Sequence, residues 1–465
     1  MKRHTSFIAV AVLAFAPGLS RSAEGQSRPP NILVIVADDM GYADIGVQGS
    51  TDIPTPNIDA LAAGGIRFTD AYVSGPYCSP TRAGLLTGRY PQRFGHEFNL
   101  FRAPHPESGL PLEETTLADR LKAAGYRTAL FGKWHLGFAP RFHPLERGFD
   151  EFFGFMGGGH TYMSSTPEGV DPVLDGRTPV AEMPYLTDAL ADRAVDFIKR
   201  QRARPFFLYL AFNAVHVPLQ APEKYLTRFS HIADPQRRMY AAMLSAMDDG
   251  IGRTIAALRS EQLEEQTLIF FFSDNGGPTI VGGINGSSNA PLRGSKRQTW
   301  EGGIRVPFIV RWKGHLAAGR TASRPIIQLD VFPTALVAAG VPVKPEWKLD
   351  GVDLLPFLTG RAPGSPHDML YWRLGAMMAI RQGDWKLVRM HEGPVRADSI
   401  TSDDLLAAEL YNLKDDMGET RNLAAANPEK VRALAAAWQR WNRELAPPRW
   451  SPAPPGREGG AGGSR

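Results

Sequence analysis

The chain has 465 residues, 43% of them hydrophobic and 22% charged, and a formal charge of +4. That length exceeds one ordinary small domain, and the composition suits a globular chain with a sizeable core. So small a charge excludes nucleic acid as the main partner, because that needs a concentrated basic face.

Residues 1–23 have the layout of a secretory signal. Lys2, Arg3 and His4 open it, Phe7 to Ala16 is apolar, Pro17-Gly18 breaks the run, and small residues follow through Ala23. The apolar stretch falls short of the ~20 residues that span a bilayer, so no stable membrane insertion is expected. The chain is expected to be exported, to a periplasm or to the medium. Residues 24–30 form a polar leader. The composition includes one cysteine, Cys78. An exported protein usually pairs its cysteines, so a single thiol either has a task or is buried and inert.

Asn31 to Ala37 is nearly all apolar and rich in β-branched residues, the pattern of a strand covered on both faces. Pro205–Phe212, Thr267–Ser273 and Val306–Val310 repeat it. Helical patterns lie between them at Asn57–Gly64, Thr116–Gly125, Asp188–Arg200 and Met239–Arg259. Strands alternating with helices predict an α/β fold, with a large, mostly parallel sheet over residues 31–358. From His367 the pattern changes to short strands (Met369–Arg373, Met377–Arg381, Trp385–Arg389, Glu409–Leu413) and then a helix over Pro428–Leu445. This predicts a smaller antiparallel sheet with a helix packed on it, over residues 365–446. The Pro-, Gly- and Arg-rich residues 447–465 are expected to be disordered.

Ligand groups in such sheets gather beyond the carboxyl ends of the strands. Asp38-Asp39, Asn213 with His216, and Asp274-Asn275 follow three of the runs. Three carboxylates and an amide, with no His or Cys, suit a hard cation, Ca²⁺ ahead of Mg²⁺. The alternative reading makes Asp-Asp a helix cap and Asp-Asn-Gly a turn.

The segment Cys78-Ser79-Pro80-Thr81-Arg82, continued by Leu86-Thr87-Gly88-Arg89-Tyr90-Pro91, resembles the sulfatase signature. Asn31–Gly41, Gly132–Gly137, Phe272–Gly277, Leu292–Pro307 and Glu409–Leu423 resemble further blocks of that family. The resemblance implies an alkaline phosphatase-like fold with a central mixed sheet. It also implies hydrolysis of sulfate monoesters, with a carbohydrate or polysaccharide fragment as the expected substrate. A maturation enzyme would convert Cys78 to formylglycine, whose hydrate would attack sulfur through a sulfated enzyme intermediate. Asp38, Asp39, Asp274 and Asn275 would hold the calcium ion, together with residue 78. Arg82, Lys133 and Lys296 would neutralise the sulfate, His135 would serve as a base, and His216 with Lys296 would protonate the leaving oxygen. Leu219 stands where many members carry a second histidine after His-x-Pro. Candidate substrate contacts are His160 and Tyr162 after a glycine run, and His96, Glu97, Asn99 and Arg102. All six could equally be ordinary loop residues. Two other functions fit the same motifs: a phosphate or phosphonate monoester hydrolase, and a non-catalytic sulfated-glycan-binding protein.

Overall fold

Every residue of Asn31–Ala37 is buried, which a strand achieves only when both its faces are covered. The computed structural model, which describes residues 28–280, 284–391 and 400–452, places this strand inside a ten-stranded sheet. The strands lie in the order Arg320–Ala322, Ile66–Phe68, Phe308–Arg311, Thr267–Ser273, Asn31–Ala37, Phe206–Ala211, Arg127–Lys133, Glu151–Phe155, Leu174–Asp175 and Thr178–Pro179. The five from Thr267–Ser273 to Glu151–Phe155 are parallel. Phe308–Arg311 pairs antiparallel with both its neighbours. The sheet is therefore mixed and mostly parallel at its centre, as the sequence predicts. The expected signal segment lies outside the described residues.

Alternate side chains of each strand enter two cores, the period-2 consequence of the pleat. Leu33, Ile35, Leu208, Leu210 and Phe271 pack with the helices Leu186–Arg200 and Pro235–Ser260. Ile32, Val34, Tyr209, Phe270 and Phe272 pack on the other face, with the helices Cys78–Thr87, Leu117–Ala123 and Val331–Ala338. The helix Pro235–Ser260 starts earlier than its apolar period suggests. Asp234 caps it by accepting the Gln236 and Arg237 N–H groups at 2.8 and 2.9 Å, and Pro235 takes the first turn.

Two central strands, Arg127–Lys133 and Glu151–Phe155, are absent from the sequence prediction. Gly132 and Lys133 interrupt the apolar signal of the first. Gly132 has φ +122°, and a Cβ there would lie 1.8 Å from the Ala211 carbonyl oxygen. Glycine thus lets the strand close on its neighbour and deliver Lys133 to the strand end.

Met369–Leu374, Met377–Gln382, Trp385–Arg389 and Glu409–Asn412 form an antiparallel four-stranded sheet. The helix Pro428–Asn442 packs on it, and its Trp438 Nε1 donates to the Trp372 carbonyl at 3.0 Å. The prediction of disorder from Pro447 fails for the described residues 447–452. There the Arg449 N–H donates to the Gly95 carbonyl at 2.9 Å, and buried Trp450 donates through Nε1 to the Phe98 carbonyl at 3.1 Å. An indole buries enough apolar area to hold even a Pro-rich segment.

Buried charges join the antiparallel sheet to segments that flank the large one. Lys386 pairs with Glu301 at 2.9 Å and Glu419 at 2.8 Å, while Arg381 and Arg305 share Asp70 at 2.7 and 3.0 Å. Tyr72 donates to Glu301 at 2.6 Å and accepts from Arg381. Removing one partner of such a set strands a buried charge, which costs about 3–5 kcal/mol. Lys386→Met is expected to lower unfolding free energy by that amount in urea titration. A loss below about 1 kcal/mol, the value of an exposed pair, would show that the cluster does not hold the antiparallel sheet in place.

Candidate active site

The parallel strands end together, and their next residues meet. Asp38 and Asp39 follow Asn31–Ala37, Lys133 ends Arg127–Lys133, and Asp274 and Asn275 follow Thr267–Ser273. The buried helix Cys78–Thr87 begins at this crevice with Cys78 as its first residue. Ligand atoms of Asp38, Asp39, Cys78 and Asp274 all lie within 4.8 Å of one another. Cys78 Sγ stands 3.4 Å from Asp38 Oδ1 and 4.0 Å from Asp39 Oδ1.

Cations face these carboxylates one for one. Lys133 Nζ lies 2.6 Å from Asp38, Lys296 Nζ 2.7 Å from Asp39, and Arg82 Nη2 2.8 Å from Asp274. Lys296 also donates to Cys78 Sγ at 3.3 Å. Burial opposes the charge of Asp39, but Lys296, His216 and Lys133 together hold its carboxyl well below the ordinary range. Burial and the negative Asp38 push Asp274 up. Burial, with Asp274 beside it, raises Cys78 far above an ordinary thiol, so the unmodified side chain stays protonated and is a poor nucleophile.

The donor set fits a hard divalent cation. It is all oxygen apart from residue 78, and Asn275 Oδ1 is buried without a partner while its Nδ2 donates to Asp39 at 2.7 Å. Asn285, absent from the sequence reading, ties the strand ends together by donating to the Asp39 and Val215 carbonyls at 3.1 and 3.0 Å. Its sequence neighbourhood, a Gly/Ser/Asn loop, carries no signal that separates it from a turn.

Two histidines flank the cluster. His135, at φ +58°, donates from Nε2 to the Leu100 carbonyl at 2.9 Å, which leaves its buried Nδ1 as a free lone pair. His216 donates from Nδ1 to the Val217 carbonyl at 2.6 Å and turns Nε2 to within 3.6 Å of Asp39 Oδ2. Burial, with Lys296 and Lys133 nearby, lowers His216 to about 3 despite Asp39. The glycine run covers both rings. A Cβ at Gly158 would lie 2.7 Å from His135 Nε2, and one at Gly159 would lie 3.3 Å from His216 Cε1.

The expected substrate contacts separate into two groups. His96, Glu97, His160 and Tyr162 are buried and bonded within the protein, which corrects their expected exposure to a sugar. His96 Nε2 lies 2.6 Å from Ser79 Oγ, and Glu97 pairs with Arg373 at 2.6 Å. His160 bonds the Thr161 carbonyl at 2.7 Å, and the Tyr162 hydroxyl donates to the Asn213 and His216 carbonyls at 2.5 and 2.8 Å. Asn99 accepts the Ser79 N–H at 3.0 Å and so supports the helix that begins with Cys78. Arg102 alone of the six is exposed; it pairs with Asp171 at 2.6 Å over the ring of Phe138.

His96 supplies a test of this buried support. Burial lowers it from 6.5 to about 3. The unfolded chain therefore takes up its proton at higher pH than the folded chain, and stability falls as pH drops across that window, by about 1.4 kcal/mol per unit. His96→Gln is expected to flatten the loss of stability between pH 6 and 4 by about one proton's slope. Urea titrations at several pH values would show it, and an unchanged slope would place His96 in water.

A mixed sheet with carboxylates and cations clustered at its strand ends is the plan of alkaline phosphatase-like ester hydrolases. Residues 30–341 match the family model Sulfatase, and the chain belongs to the sulfatase family, the sulfuric ester hydrolases. It is 38% identical over 385 residues to N-acetylgalactosamine-6-sulfatase of Homo sapiens, covering 78% of this chain and 72% of that one. Arylsulfatase A of Homo sapiens is 36% identical over 466 residues, covering 91% and 89%. Among solved structures, Ps i-CgsB superposes with TM-score 0.84 at 36% identity, covering 91% of this chain and 95% of that one. It has also been solved in complex with k-i-k-neocarrahexaose.

Proposed function

We propose that this sulfatase is an exported enzyme that hydrolyses sulfate monoesters of a carbohydrate, with Cys78 converted to formylglycine and Asp38, Asp39, Asp274 and Asn275 holding a calcium ion. The observation that carries the reading is the position of Cys78 Sγ, within 3.4 Å of Asp38 and 3.3 Å of Lys296 at a buried helix start. The carbohydrate class draws on the relatives named for N-acetylgalactosamine 6-sulfate and solved with a neocarrahexaose.

A formylglycine at position 78 would supply hydrated-aldehyde hydroxyls where the thiol now sits. A divalent cation would supply positive charge that acidifies an oxygen ligand and draws in an anion. The protein's own groups then divide the work. Three carboxylates matched by three cations leave the cluster near neutral, so one added dication makes it a positive seat for a sulfate monoanion. Arg82 is held on Asp274, the Lys133 carbonyl and Tyr209, and cannot swing away. Lys133 and Lys296 stabilise negative charge that grows on the sulfate oxygens. His135 Nδ1 is a free acceptor for a proton in the collapse that expels sulfate. His216 exchanges its proton at Nε2, because Nδ1 is committed to Val217. Burial and the lysines lower His216, and a bound anion beside it, with Asp39, favours the imidazolium that donates to the departing alcohol.

Peptide mass of Cys78 tests the nucleophile. In protein made beside a maturation enzyme, conversion of thiol to aldehyde is expected, with Cys78→Ala unmodified and inactive. An unmodified thiol in protein that still cleaves sulfate esters overturns the reading. Chelation is expected to abolish turnover, with Ca²⁺ restoring it better than Mg²⁺; full activity in chelator would exclude the ion. Relative rates on sulfate and phosphate esters of one alcohol decide between sulfatase and phosphohydrolase activity.

His216→Ala is expected to cost ~10²–10⁴-fold in kcat on a sugar sulfate, the usual worth of a general acid. On 4-nitrophenyl sulfate, whose leaving group needs no proton, the loss should be far smaller. Equal losses on both substrates would remove His216 from the acid role.

A further inference from the structure

The catalytic reading leaves the turn Asp416–Arg421 without a task, although it is built with care. The Asp416 carboxylate accepts the Thr420 and Arg421 N–H groups at 2.9 and 2.8 Å. This holds Glu419 at φ +51° and fully buried. From there Glu419 reaches both ends of the segment that carries Lys296. Its side chain accepts the Glu301 N–H at 2.7 Å, and its backbone carbonyl accepts Arg293 Nη1 at 3.0 Å. Arg293 also stacks over Trp300, 3.8 Å from the ring centroid, which closes the segment on itself.

Between these anchors the backbone has no slack. The Gly302 N–H donates to the Arg293 carbonyl at 2.7 Å, and the Lys296 N–H donates to the Gly277 carbonyl at 3.2 Å. A Cβ at Gly303 would fall 2.0 Å from the Gln298 carbonyl oxygen, and one at Gly276 would fall 1.8 Å from the Gly302 carbonyl oxygen. The segment is therefore a closed coil laid directly against the Asp274-Asn275 strand end. The Lys296 ammonium projects from it to Asp39 at 2.7 Å and Cys78 at 3.3 Å. A lysine has a long flexible stem, so its placement depends on where its Cα is held.

We infer that Glu419 is a positioning residue, which clamps both ends of the 293–301 segment and so sets the reach of Lys296 into the sulfate site. The inference rests on the reading of Lys296 as a sulfate-stabilising group. The antiparallel sheet then has a part in turnover, since its Lys386 pairs with the Glu419 clamp at 2.8 Å.

A double-mutant cycle on the full-length, matured enzyme tests this with 4-nitrophenyl sulfate. Glu419→Ala is expected to lower kcat by about tenfold to a hundredfold, the scale of a small misplacement at a reacting centre. Glu419→Gln keeps an acceptor for the Glu301 N–H and is expected to recover part of that loss. In a Lys296→Met background, either change should add less than about twofold, because the residue through which it acts is gone. Arg293→Met removes the other anchor from a half-exposed site and keeps the test alive if Glu419→Ala fails to fold. The same non-additivity is expected for it. Losses that simply multiply with that of Lys296→Met overturn the positioning role and leave the catalytic reading intact. Full activity in Lys296→Met overturns both.

Discussion

Three carboxylates buried at the ends of neighbouring strands repel one another, and the structure around them follows from the need to offset that repulsion. Each is matched by a cation from a different part of the chain: Lys133 from a strand, Arg82 from a helix and Lys296 from a coiled segment. Desolvating so many charges is unfavourable unless every one is paired and hydrogen-bonded. The result is a site in which no group moves alone. The near-neutral balance also explains how the same residues would serve an anionic ester. On the proposed reading, a bound dication would shift the balance to positive where the sulfate would sit.

The second sheet belongs to this arrangement. Its buried Lys386 and Arg381, with Glu419 just beyond its last strand, meet Glu301, Arg305, Asp70 and Tyr72 of segments beside the large sheet. The segment that leads to Glu301 carries Lys296. Packing of the antiparallel sheet and electrostatics at the site are therefore one network. On the opposite side, Glu97 with Arg373 and Trp450 with the Phe98 carbonyl bind the loop after the helix Cys78–Thr87 to the C-terminal residues. His96 and Asn99 pass that support to Ser79, beside Cys78.

Several buried residues around the site serve to hold their neighbours in place. Tyr162 looks like a sugar-binding residue in sequence, because tyrosine after a glycine run is common at binding loops. Its hydroxyl instead fastens the backbone that carries His216. Gly158 and Gly159 contribute no side chain at all, yet their backbone forms the wall over both histidines. Wall residues of this kind are chosen for the space they leave.

The sequence by itself determined the α/β class, the strands whose apolar runs are continuous, and the gathering of Asp38, Asp39, Asp274 and Asn275 at their ends, whereas Cys78, Arg82, Lys133 and Lys296 were legible only through the resemblance of their motifs to the sulfatase family. Continuous β-branched runs can be buried only at a sheet centre, and charged residues at their ends have nowhere to go but the crevice. Tertiary structure decided the rest. The strands Arg127–Lys133 and Glu151–Phe155 depend on neighbours that accept their glycines, and the order of Trp450 depends on a hollow made by distant loops. The support roles of His96, Asn99, Tyr162, Asn285 and Glu419 were also settled there. Such roles rest on hydrogen bonds across tens to hundreds of residues, and local periodicity carries no record of a partner that far away.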